Sequence, residues 1–422
     1  MKNNSLISIK AITFAALLSL SIVGCSNAQN SSAAVVTSTQ AADTQAAGST
    51  ASSGTTSATE AAAATATVAT STDTTALFSD RDLEQTADLT AATQMTLVSN
   101  QDVTLSEEGV YVLSGDVDNV TVTVEAAEEA KVQIVLDGVS ITNTDSPAIY
   151  VKAADKVFVT STDSENHMEV TGSYVADGET HLDAVIFSRA DVTLNGTGSL
   201  DIVSAQGNGI SSKDDLKITG GVYTIDSSAD ALEANDAILI NDGTVTIDTG
   251  KDALHSENEE ETTLGNIYIE GGTLNIKAAD DGITANNLVQ IDGGSINIET
   301  SVEGIEGNTI IVNDGQITVY ATDDGINATP KVNDNASIEV NGGTIKVTMG
   351  SGDTDAFDSN GNLYINGGII DVEATSAFDA DGTAELNGGT VSVNGEQITE
   401  ITLSRGGGGG GGFRGGGGGM GH

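Results

Sequence analysis

A glycine-containing turn recurs through the second half of the chain, and its spacing limits the possible folds more than any other feature. Taken at the second residue of each Gly-Gly or Asp-Gly pair, it falls at Gly221, Gly243, Gly272, Gly294, Gly315, Gly343, Gly368 and Gly389, every 21 to 29 residues. A recurring interval of this size marks a solenoid. After each turn apolar residues alternate with polar ones, as in Tyr223 and Ile225, Val245 and Ile247, Leu274 and Ile276, Ile317 and Val319. Period two means strands with one buried face. No helix-length amphipathic run separates the units, so helical repeats fit poorly. Each unit holds three short extended pieces. A lone coil of three strands cannot bury its apolar row, whereas coils stacked about 4.8 Å apart share one core. The expected fold is all-β: one solenoid domain, a parallel β-helix.

The flanks differ in composition. Lys2 and Lys10 precede an apolar run, Ala11 to Val23, that ends in Ile22-Val23-Gly24-Cys25. This pattern predicts a lipoprotein export signal over 1–24, lipidation at Cys25 and a lipid-anchored protein on the outer face of the cell membrane. The alternative is an ordinary signal peptide with an incidental cysteine. The run is too short for a confident membrane span. Cys25 is the only cysteine, so no internal disulfide or thiolate metal site is expected. Residues 25–77 are rich in Ser, Thr and Ala and predict a disordered tether. Residues 404–422 are nearly all Gly and predict a disordered tail. Between them, 78–403 is assigned to the β-helix, with an atypical capping segment near Phe78 to Leu97. A net charge of -46 argues against nucleic acid as a partner and points towards cations.

Acids concentrate in the third strand of each unit, which reads Asp230-Ala-Leu-Glu-Ala-Asn, then Asp252-Ala-Leu-His-Ser-Glu, Asp281-Gly-Ile-Thr-Ala-Asn, Glu303-Gly-Ile-Glu-Gly-Asn, Asp324-Gly-Ile-Asn-Ala-Thr and Asp355-Ala-Phe-Asp-Ser-Asn. Leu232, Leu254, Ile283, Ile305, Ile326 and Phe357 should point inward. Glu233, His255, Thr284, Glu306, Asn327 and Asp358 should point outward, with the leading acid at a corner and a small residue after it leaving the backbone open to a ligand. Stacked in register, neighbouring carboxylates about 5 Å apart repel by roughly 3 kcal/mol at an effective dielectric near 20. Calcium, which accepts six to eight oxygen ligands, would bridge them. A solvated acidic ridge is the other reading. The strongest cluster is Asp280, Asp281, Glu303, Glu306, Asp323 and Asp324. A second is Asp230, Glu233 and Asp252. The third, Asp355 and Asp358 with Asp353 and Asp379, is weaker.

These residues resemble a known family. Leu136-Asp-Gly-Val-Ser-Ile-Thr-Asn, Ile186-Phe-Ser-Arg-Ala-Asp-Val-Thr-Leu-Asn-Gly-Thr-Gly-Ser-Leu, Ile210-Ser-Ser-Lys-Asp-Asp-Leu-Lys-Ile-Thr-Gly-Gly and the Asp-Gly-Ile units are similar to the bacterial, clostridial-type carbohydrate-binding domain β-helix proteins, from about Gly109 to Leu403. That resemblance implies a right-handed parallel β-helix shaped like a pectate lyase, with bound calcium, associating with cellulose and polygalacturonate at the cell surface.

Non-catalytic, calcium-dependent binding of an acidic polysaccharide is the function that fits best. The alternatives are a calcium-dependent pectate lyase and a structural surface spacer or adhesin. Lys251 is the candidate base for a lyase, yet nearby acids should raise its pKa, the wrong direction for a base. With no Trp, seven Tyr and seven Phe, a flat aromatic platform is hard to build. Tyr268, Tyr320 and Tyr364 are the candidates for it, with core or edge packing the other reading of each. Asn235, Asn286, Asn308 and Asn360 should form a ladder that satisfies turn backbone. His255 reads as plain surface.

Overall fold

The computed structural model describes residues 72–73, 77–352 and 354–404. Cys25, the 1–24 signal, most of the 25–77 tether, Asp353 and the tail from 405 lie outside the described residues. The chain divides into Met1–Thr65 and Ala66–His422, and all the described residues belong to the second unit.

Every regular element among the described residues is a β-strand, and nearly all pair in parallel with their counterparts one coil away. A representative coil runs Thr309–Val312, Gln316–Ala321 and Ile326–Ala328. The first two strands of successive coils make a 22-stranded sheet that bends at the glycine corner; the third strands make a 12-stranded sheet. This is the expected parallel β-helix. The reason for the glycine is conformational: all eight corner glycines have φ between 80° and 117°, where a Cβ is penalised.

The core is a stack of equivalent positions. Along the third sheet Ile210, Leu232, Leu254, Ile283, Ile305, Ile326, Phe357 and Phe378 pair in register, all buried. Phe357 and Phe378 stack with centroids 5.6 Å apart. The small residue before each of these positions serves this core, which corrects the expectation that it opens the backbone to a ligand. A Cβ on Gly304 would lie 2.3 Å from both Gly325 O and Val319 Cγ1, and one on Gly282 would lie 2.6 Å from Gly304 O.

The ends also differ from expectation. Phe78 to Gln85 does not cap the first coil, which begins with Thr93–Thr96. It lies against strands of later coils instead. Phe78 packs with Ala237 and Leu239. Asp82, 1% exposed, accepts hydrogen bonds from Lys156 Nζ at 2.8 Å and Thr193 Oγ1 at 2.7 Å. Gln85 donates to Thr219 O and accepts from Gly196 N–H. Even Thr72, assigned to the tether, exchanges hydrogen bonds with the buried Gln290 amide. Lys156 and Lys217, which project from the sheet beside Asp191 and Asp215, help to hold the strap: Asp82 accepts from one and Leu77 O from the other. At the other end, Thr390–Val393 folds back on Glu396–Ile398 as an antiparallel hairpin. Its Asn394-Gly395 turn has both φ values positive, at 52° and 80°, the hairpin turn that such a pair favours. The hairpin covers the edge that the last coil would otherwise expose.

Candidate functional site

Two rows of side chains run along the third sheet, one residue from each coil. The outward row is Ser211, Glu233, His255, Thr284, Glu306, Asn327, Asp358 and Asp379, paired in register as the alternation predicts. The second row holds the leading acids, and its carboxylates are partly engaged by the fold. Asp230 Oδ1 accepts the Asp252 N–H at 3.1 Å, Asp252 Oδ1 accepts the Asp281 N–H at 3.0 Å, and Asp281 Oδ1 accepts the Glu303 N–H at 3.0 Å. Asp324 Oδ1 does the same for the Asp355 N–H at 3.0 Å. Each bond satisfies an amide at a corner where the ladder changes direction. These acids are therefore half-buried or buried supports of the coil junction, rather than solvated corner groups. One oxygen of each carries the backbone, and the other is left for the face.

The residues of the strongest and second clusters come together in three overlapping groups. Asp230, Asp252 and His255 form one, Asp252, Asp280 and Asp281 the next, and Asp281, Glu303 and Glu306 the third, with ligand-capable atoms within 4.8 Å of one another in each. Glu233 is not part of them, since Asn208 Nδ2 and Lys213 Nζ hold its carboxylate. Asp323 is exposed and acts on Asp324 through its charge. Asp324, Asp355, Asp358 and Asp379 form a further electrostatically linked set.

The row is neutralised more fully at one end than at the other. Burial works to raise Asp230, but the His255 hydrogen bond and the charges of His255 and Lys251 outweigh it and hold the carboxyl below its usual range. Burial works to lower His255, and Asp230, Asp252 and Glu233 more than reverse it. The imidazole Nδ1 lies 3.2 Å from Asp230 Oδ2 and its Nε2 3.5 Å from Glu257 Oε2. His255 is thus a member of the cluster, a role that one exposed-looking imidazole in the sequence did not suggest. It also lines a cavity of about 610 Å³ with Lys213, Glu233 and Asp236. Lys251 Nζ lies 3.2 Å from Asp230 Oδ1. Burial alone would lower its pKa, but Asp230, Asp252 and Asp280 raise it, so the ammonium is a poor base.

Further along, Lys331 pairs with Glu306, and opposing charge is otherwise scarce. Burial first, then repulsion from Asp252, Glu306 and Asp280, pushes Asp281 up to about 7. Burial, Glu306, Asp281 and Asp324 push Glu303 up to about 8. Asp324 rises to about 6 and Asp358 to about 7 by burial and mutual repulsion. Beside them Asn327, 7% exposed, donates Nδ2 to Glu303 Oε2 at 3.0 Å, while its buried Oδ1 has no hydrogen-bond partner. An orphaned amide oxygen among crowded carboxylates is a hard-oxygen donor set that suits a calcium-type cation.

The expected asparagine ladder is elsewhere. Asn308 alone of the four reads as a turn anchor, accepting three consecutive N–H groups from Lys331, Val332 and Asn333. Asn286 donates to Glu257, and Asn360 accepts from Thr329. The true ladder stands at the glycine corner. Asn313 donates to Asp292, Asn341 to Asn313, Asn366 to Asn341 and Asn387 to Asn366, at 2.6 to 3.0 Å. Its signal was present in the recurring Asn before Gly-Gly. Of the candidate platform residues, Tyr364 is buried and Tyr268 packs against the strap; only Tyr320 is exposed. Tyr150 and Phe187 meet edge to face, but Leu182 and Tyr174 cover them.

Fold and face together define the class: a parallel β-helix that carries a ladder of carboxylates along one sheet. Residues 99–356, more than half of the chain, match the carbohydrate-binding domain-containing protein family, and the chain belongs to that family. A carbohydrate-binding domain-containing protein of Acetivibrio thermocellus is 38% identical over 128 residues, 29% of this chain and 44% of the relative. The matched segment thus spans less than half of that relative's length. Among solved structures, the chain is similar to a polysaccharide lyase-like protein from C. thermocellum, in its gadolinium derivative, at 23% identity and a TM-score of 0.39, covering 71% of this chain and 96% of that one.

Proposed function

We propose that the protein binds acidic polysaccharide, such as polygalacturonate, without cleaving it, through calcium held on the carboxylate ladder. The observation that carries this reading is the Asp281, Glu303 and Glu306 group, whose first two members are held at about 7 and about 8 by burial and mutual repulsion. Such a group favours either protons or a cation. Asp281, Glu303 and Glu306 would hold the ion, with Asn327 Oδ1 as a neutral donor; Asp252 and Asp280, which cluster with Asp281, would serve a second position, and Asp324 and Asp358 a third. When bound, calcium would supply positive charge that a uronate carboxylate can share with the protein. Family membership supports a carbohydrate partner. The shortage of exposed aromatic rings among the described residues favours a uronate polymer over cellulose, whose flat chains call for stacking. Lys251, held as a paired ammonium, gives a lyase no ready base. We place the protein at the cell surface, anchored to the membrane through lipid on Cys25.

Pull-down on polygalacturonate and on cellulose, with calcium and with chelator, beside melting curves in the same buffers, tests the reading. Calcium-dependent retention on polygalacturonate by a chain still folded in chelator is the expected result. Unfolding in chelator would make calcium structural. No retention on either polymer would overturn the binding reading and leave a surface spacer.

A further inference from the structure

We propose that Lys331 is a tethered counter-ion that occupies part of the Asp281, Glu303 and Glu306 site and lowers its affinity for divalent cations. This rests on the calcium reading above and adds a residue that regulates the same site. Lys331 lies in the stretch from Thr329 to Ala336, between the strands Ile326–Ala328 and Ser337–Val340. That stretch is fixed by Asn308, which is fully buried and accepts the N–H groups of Lys331, Val332 and Asn333 at 3.0, 3.1 and 3.1 Å. Asn308 follows Glu306 by two residues, so the same corner that presents the carboxylate also anchors the ammonium.

The side chain then reaches back across the face. Lys331 Nζ bonds Glu306 Oε2 and lies 3.2 Å from Thr284 Oγ1, one coil further on. Thr284 Oγ1 also donates to Glu306 Oε2, at 2.9 Å. Glu306 Oε2 is therefore covered by two donors. The Lys331 and Glu306 side chains are 24% and 12% exposed, so the pair is shielded enough for its charge to be felt. A divalent ion that takes Glu306 as a ligand must displace this ammonium or sit beside it. Glu306 is thus already paired with a tethered ammonium, and an ion that takes it as a ligand must compete with that amine. Lys331 is a positioning and selectivity residue.

The test is a calorimetric titration of the chelator-treated chain with calcium chloride, comparing wild type with Lys331→Met, Lys331→Gln and Lys331→Arg. Removing one nearby positive charge should tighten one calcium site about tenfold in both neutral variants, while Lys331→Arg stays near wild type. In chelator the neutral variants should also melt lower, with calcium restoring the loss. Calcium affinity in both neutral variants that equals or falls below that of a wild type that binds would overturn the inference and leave the calcium reading standing. No calcium uptake by any of the folded chains would overturn both. Uptake by the neutral variants alone would support the inference and remove this site from the calcium reading of the wild type.

Discussion

The molecule carries two side-chain ladders, each contributing one rung per coil, and they behave in opposite ways. At the glycine corner Asn313, Asn341, Asn366 and Asn387 each donate to the previous rung and, as far as Asn366, accept from the next. A carboxamide has both a donor and an acceptor, so such a row pairs rung to rung. Along the third sheet the rungs are carboxylates, which only accept. The fold gives Asp230, Asp252 and Asp281 one backbone N–H each, and the remaining carboxylate oxygens crowd together. The same stacking geometry thus yields a self-pairing ladder from amides and a cation-seeking one from acids. The acid row is itself uneven: Lys251, His255 and Lys213 neutralise its Asp230 and Glu233 end, while burial and repulsion push Asp281 and Glu303 up to about 7 and about 8.

The contrast can be broken most strongly at its centre. In chelator at a pH above the Glu303 value of about 8, Asp281→Asn with Glu303→Gln should gain on the order of 2 kcal/mol of stability, because repulsion goes while each amide oxygen can still accept. The same variant should lose most of its melting response to calcium. Thermal unfolding with and without calcium measures both, and an undiminished response would move the main cation site elsewhere.

Next in size is the pH dependence. Folding raises Asp281 from 3.8 to about 7 and Glu303 from 4.5 to about 8, so the folded chain holds more protons than the unfolded one. The stability these groups contribute is full below the unfolded values and is lost as pH climbs through the folded ones. In chelator the melting temperature should therefore fall by a few degrees between about pH 5 and 8. The calcium-induced gain should grow over the same interval, since the ligands must be deprotonated. A flat profile would mean that the row is solvated and indifferent to cations.

The amide ladder should respond more modestly. Asn341→Ala removes bonds of 2.9 Å on either side and should cost about 1 kcal/mol, with the calcium response unchanged in denaturant titrations. Smallest of all is Lys251→Ala. The lysine is about half exposed, and loss of such a pair should cost under about 1 kcal/mol. No unsaturated uronide should accumulate from polygalacturonate with either the variant or the parent. Product formed by the parent and lost in the variant would establish a lyase.

Much of the architecture is legible in the residues alone. The corner glycines mark positive φ at each of their positions, because only a residue without Cβ turns there at low cost. The alternation in the third strand separates inward Leu232, Ile283 and Phe357 from outward Glu233, Glu306 and Asp358, because a strand has period two and coils stack in register. Other features depend on contacts between residues far apart in sequence. Asp82 meeting Lys156, Asn308 anchoring Lys331 and His255 lodging against Asp230 result from how a strap, an insertion and neighbouring coils pack. The sequence by itself determined the repeat, its corner and the existence of an acidic row, since each is encoded within one coil and copied to the next. Tertiary structure alone decided which acids are neutralised, because charge balance depends on where isolated lysines and histidines arrive across coils, and they follow no period.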